Sequence, residues 1–115
     1  MGLLNITVAA GESGPVLVLA GETDMTTAAE LSRALTAQLA SGARCLTVDI
    51  SGLRFADSSS VRALALAARA LRERGGEMVL LRPQPAVARV LRLVSLDQMI
   101  TVRLDTGAGA GPEAT

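Results

Sequence analysis

Three short apolar runs of strand length, separated by stretches with helical periodicity, constrain this chain more than any other feature. They are Val16-Leu17-Val18-Leu19-Ala20, Cys45-Leu46-Thr47-Val48-Asp49-Ile50 and Met78-Val79-Leu80-Leu81. A continuous apolar run such as Val16 to Ala20 usually belongs to a strand covered on both faces, and that is the expectation here. After the first run, Leu31, Ala34, Leu35, Gln38 and Leu39 keep an i, i+3, i+4, i+7 rhythm, with Arg33 and Thr36 off the stripe. Thr27-Ala28-Ala29-Glu30 has capping-box spacing for the start of this helix, Asp24 is an alternative cap, and Ser41-Gly42 ends it. A second helix is predicted from about Ser58 to Arg74, stopped by Gly75-Gly76. Pro85 opens a third, with Val87, Val90, Leu91 and Val94 inward. Leu3 to Val8 reads as a strand joined to the first run by a longish loop over Gly11-Glu12-Ser13-Gly14-Pro15, and Ile100 to Leu104 as a last strand. Strands alternating with helices give an α/β fold, a mixed, mostly parallel sheet with packed helices, in a single domain over residues 1–105. The Gly/Ala-rich tail, residues 106–115, cannot bury anything and is expected to be disordered.

Composition narrows the function. The chain has one Phe and neither Trp nor Tyr, so its core is built from Leu, Val, Ile and Ala and it offers no stacking platform for single-stranded nucleic acid. Eleven basic residues, all Arg, balance eleven acidic ones. A phosphate-backbone binder carries a basic excess, so no nucleic-acid partner is expected. With no His and a single Cys, the usual zinc and copper ligands are missing, and neither metal nor cofactor is expected. Cys45, inside an apolar run, reads as a small buried hydrophobe, and one Cys suits a reducing cytosol. No segment approaches the roughly 18 consecutive apolar residues of a membrane span. Met1 to Asn5 has no basic n-region, so the expected setting is cytoplasmic.

The informative stretch is Phe55-Ala56-Asp57-Ser58-Ser59-Ser60-Val61, between the second apolar run and the long helix. The carboxyl end of a strand in an open parallel sheet is where sites form. One reading is an ordinary cap, in which Asp or Ser accepts from the first-turn N–H groups. Three consecutive hydroxyls exceed what a cap requires, so at least one is expected free at the positive end of the helix dipole. A phosphoryl group there adds roughly −1.5 to −2 charges and would be tolerated by the helix start. It would repel a partner presenting an acidic or apolar surface. Further along the helix, Arg62, Leu66, Arg69 and Glu73 lie together, an apolar centre with a charged rim. That pattern fits an interface or a stray exposed leucine. Enzyme chemistry on Ser58 would want His or Lys nearby, and the chain has neither, so no catalytic residue is assigned.

Taken in order, Gly21-Glu22-Thr23-Asp24, Leu46 to Leu53, Phe55-Ala56-Asp57-Ser58-Ser59, Gly75-Gly76-Glu77-Met78 and Pro85-Ala86-Val87 resemble the STAS domain of anti-sigma factor antagonists, over about Leu3 to Leu104. The resemblance implies a non-enzymatic switch. Ser58, directly after the Asp, would be phosphorylated by a serine kinase that is also the anti-sigma factor. Asp24 falls on the family's second acidic position, where it would hold the loop or engage the kinase; a plain helix cap is the other reading. With the helix face read above, the expected partner surface comprises Asp24, Asp57, Ser59, Ser60, Arg62, Leu66 and Arg69. Ser60 stands where the family usually has Gly, offering a competing hydroxyl, and the family's final helix is replaced here by the Gly/Ala tail. The alternative within the family is a structural subunit of a stress-signalling or lipid-transport assembly.

Overall fold

A computed structural model describes residues 3–94 and 100–103. The elements run β1 (Leu4–Gly11), β2 (Gly14–Glu22), α1 (Met25–Ala40), β3 (Cys45–Phe55), α2 (Ser58–Glu73), β4 (Glu77–Leu81), α3 (Pro85–Leu93) and β5 (Thr101–Arg103). Among the described residues the strands form one five-stranded sheet in the order β1-β2-β3-β4-β5. β1 and β2 are antiparallel and all later neighbours are parallel, the mixed, mostly parallel α/β sheet expected. Leu104 and the tail lie outside the described residues.

The first hairpin is tighter than its turn-rich sequence suggested. Gly11 pairs with Gly14, so Glu12-Ser13 alone makes the turn. The strand runs straight through Pro15 for a geometric reason. Glu22 N–H bonds the Leu3 carbonyl at 3.0 Å. Pairs alternate from there, which puts Ala10 and Pro15 in a non-hydrogen-bonded pair, where no N–H is needed.

Each parallel strand is added on the same side of the one before it. With right-handed crossovers, that topology lays α1, α2 and α3 on one face. Burial agrees. Leu17, Leu19, Leu46, Val48, Ile50, Met78 and Leu80 join Leu31, Leu35, Leu64, Leu71, Val87 and Leu91 in one core. The alternate residues Val16, Val18, Thr47, Asp49, Ser51 and Val79 are only half-buried. The expectation that Val16 to Ala20 is covered on both faces is therefore corrected: the run is covered on one. Cys45, expected inside, is exposed, because it opens β3 on the uncovered side of Leu46. On that open face Arg82, which has a positive φ of 54°, reaches Asp49 at 3.0 Å. Burial would raise the Asp49 carboxyl, but hydrogen bonds from Ser51 and the charge of Arg82 hold it below its ordinary value.

Helix ends follow local chemistry. Past α2, Gly75 N–H bonds the Arg72 carbonyl at 3.0 Å and Gly76 N–H the Leu71 carbonyl at 2.7 Å, a Schellman closure with Gly75 at φ +81°. Pro85 opens α3 as anticipated. Val94 does not join the core: it is the C-cap, where the helix ends, and is 54% exposed, while Val87 and Leu91 fill the core.

Candidate functional site

β2 and β3 are parallel neighbours, so their carboxyl ends lie side by side and α1 and α2 start from the same edge of the sheet. Thr23 N–H donates to the Phe55 carbonyl at 3.2 Å, tying the two exits together. The start of α1 is capped by Asp24 rather than by the Thr27-to-Glu30 box. Its Oδ1 accepts from Thr27 N–H at 2.9 Å and from the Thr26 hydroxyl at 2.6 Å, and Thr27 Oγ1 accepts from Asp24 N–H at 2.8 Å.

Asp57 caps α2, and its carboxylate receives four donors. Oδ1 accepts from the Thr23 hydroxyl at 2.7 Å and Ser60 N–H at 3.3 Å. Oδ2 accepts from Ser59 N–H at 3.3 Å and from the Ser59 hydroxyl. Asp57 N–H in turn donates to Thr23 Oγ1 at 2.9 Å.

The three serines thereby separate. Ser58, the first residue of α2, is exposed, and its hydroxyl bonds nothing among the described residues. Ser59 is half-buried with its hydroxyl on Asp57. Ser60 is 1% exposed, so the expectation that it offers a competing hydroxyl at the partner surface is corrected. Its position on the inner side of the first turn, followed by buried Val61 and Leu64, aims it at the core. Its Oγ makes no well-formed hydrogen bond, although it lies near enough to Asp57 to stabilise the carboxylate.

Burial alone would push the Asp57 carboxyl up. Hydrogen bonds from Ser59, Thr23 and Ser60 outweigh it and pull the value down to about 2. A depressed carboxyl contributes stability that is whole above its unfolded value, about 3.9, and is lost as pH falls through the folded value. The difference in urea midpoint between wild type and Asp57→Asn should therefore be constant from about pH 7 to 5 and shrink between about pH 4 and 2. At neutral pH, Asp57→Ala should cost about 1–2 kcal/mol, the loss of a good cap.

Arg62, Leu66 and Arg69 are all exposed along α2, Leu66 at 54%. Arg69 pairs with Glu73 at 3.5 Å on the surface, a contact worth little by itself. Leu66 borders a groove of about 200 Å³ against α1, with Leu35, Leu39, Ala63 and Ala67. Ala67 is buried and lines the same groove. Thr23 is the site residue that sequence reasoning missed. It belongs to the Gly21-Glu22-Thr23-Asp24 motif, but nothing local marks its bond to a residue 34 positions away.

Comparison with known proteins finds the same fold. The solved structure of an anti-sigma factor antagonist from Mycobacterium paratuberculosis is similar at 26% identity and TM-score 0.82, covering 90% of this chain and 88% of that one. SpoIIAA, a Bacillus cell fate determinant solved in its phosphorylated form, shares the fold at 22% identity and TM-score 0.67, covering 87% and 90%. RsbS of Moorella thermoacetica does so at 23% identity and TM-score 0.68, covering 90% of each chain. The family model described as "Mlab, STAS domain" matches residues 6–102. The chain belongs to the STAS-domain family.

Proposed function

We propose that this chain is an anti-sigma factor antagonist that works by partner switching in the cytoplasm. Unphosphorylated, it binds an anti-sigma factor that is also a serine kinase, and so frees the sigma factor. Phosphorylated at Ser58, it lets go. One observation carries the reading: of three consecutive serines at a helix start, Ser58 alone has an exposed hydroxyl with no internal bond. Its location at the first residue of α2 supports tolerance of an added anion. The chain itself does no catalysis in this reading. The acid beside Ser58 already holds four donors, which stabilise the carboxylate and make it a poor base. No helix among the described residues is long and apolar enough to cross a membrane.

The partner surface in this reading is Ser58 with the exposed side of α2, Arg62, Leu66 and Arg69. Asp24, Asp57 and Ser59 act behind it by holding the two helix starts in place. Incubation with an anti-sigma factor serine kinase and ATP, followed by mass spectrometry, should find phosphate on Ser58; phosphate elsewhere, or none, counts against the proposal. The matching family model is described as a Mlab STAS domain, which favours one second reading, a non-catalytic STAS subunit of a larger assembly. Partner binding indifferent to Ser58→Asp would favour that reading.

A further inference from the structure

We infer that Thr23 is a positioning residue that turns the Asp57 carboxylate onto Ser59 and thereby restricts phosphorylation to Ser58. The inference rests on the proposed function for its consequence, and on the geometry alone for its cause.

An N-cap aspartate needs only one oxygen to satisfy first-turn N–H groups. Left to itself, its carboxylate can rotate and offer the second oxygen to solvent. Thr23 removes that freedom by gripping Asp57 at two points, donating to Oδ1 at 2.7 Å and accepting from the backbone N–H at 2.9 Å. The grip is itself anchored, since Thr23 is 2% exposed and its N–H is held by the Phe55 carbonyl. With Oδ1 fixed, Oδ2 can face only the first turn, where it takes both the N–H and the hydroxyl of Ser59. Ser60 is excluded separately, by burial.

Phosphoryl transfer to a serine forms an Oγ–P bond, breaks the bond between the γ-phosphorus and the β–γ bridging oxygen of ATP, and releases ADP. The hydroxyl proton passes to a base on the kinase. Ser59 must first give up its bond to a carboxylate, a penalty on the order of ten- to a hundredfold in rate against a free hydroxyl. Asp57 does not compensate as a local base, because a carboxyl titrating near 2 has little affinity for the proton. Ser58 pays nothing comparable.

The test compares wild type, Thr23→Val and Thr23→Ser. Valine keeps the shape and removes the hydroxyl; serine restores it. With an anti-sigma factor serine kinase and ATP, wild type and Thr23→Ser should carry phosphate on Ser58 with only a trace on Ser59. In Thr23→Val the Ser59 share should rise at least tenfold. An unchanged distribution in a folded Thr23→Val overturns the inference while leaving Ser58 phosphorylation standing. Asp57→Asn keeps one capping oxygen but replaces the second with an NH2 that cannot accept the Ser59 hydroxyl, so it should spread phosphate in the same way and serves where Thr23→Val does not fold. A kinase-free measurement separates the two claims. By NMR, the Asp57 side-chain carboxyl carbon should titrate higher in Thr23→Val than in wild type or Thr23→Ser. If wild type takes no phosphate at all, the proposed function falls, and a titration that does not move in Thr23→Val overturns the positioning role by itself.

Discussion

Ser58→Asp should melt within about 2 °C of wild type and bind an anti-sigma factor serine kinase roughly 10- to 100-fold more weakly. The first half follows from the position. Ser58 is exposed at the first residue of α2, so an added carboxylate stays in solvent at the helix start, while the neighbouring Asp57 charge is held by its own four donors. The second half follows from docking. A charge placed in a contact surface is either desolvated without a partner or set against one of its own sign, at a cost of several kcal/mol. About 1.4 kcal/mol is a tenfold change, so even part of that cost gives the stated range. Calorimetry and a thermal melt on the same sample read both halves. Unfolding of the variant, or an unaltered dissociation constant, removes the basis for a switch.

Gly21→Ala should be among the most damaging small substitutions, costing about 3 kcal/mol or more and lowering the melting temperature by on the order of 10–20 °C. Gly21 sits at φ +106°, and a Cβ there would lie 2.0 Å from the Leu3 carbonyl oxygen. That oxygen accepts from Glu22 N–H and closes β1 onto β2. Relief requires moving backbone on one side or the other, and Thr23 is two residues away. Gly42→Ala supplies the control: φ is +89° but nothing lies within 4 Å, so only the conformational cost of about 1 kcal/mol remains. Equal losses at the two positions would show that torsion, rather than the close approach, dominates at Gly21.

Elements whose signals are local were legible in the chain. Gly75-Gly76 marks the end of α2 because the closure bonds lie within six residues, and Pro85 marks a helix start because its fixed φ is helical. Asp57 is legible as a cap for the same reason. What failed depended on partners distant in sequence or on topology. Apolar composition alone could not tell that Val16 and Val18 face an uncovered side, since that follows from each crossover running the same way. Cys45 shares its run with Leu46 and Val48 but not their parity. The separation of three identical serines into exposed, bonded and buried needed the helix start placed against β2, and Thr23 became visible only with it.

The shared starting edge of the helices gathers their dipoles at one end of a molecule whose formal net charge is zero. Three helices of 16, 16 and 9 residues begin at one end of the sheet, each contributing about half a positive charge there. Asp24 and Asp57 already outweigh that sum, so the end is close to balanced with a slight negative bias. A phosphoryl group would deepen it to a strongly anionic pole, felt by an approaching surface at about a Debye length, roughly 8 Å, before any atoms touch.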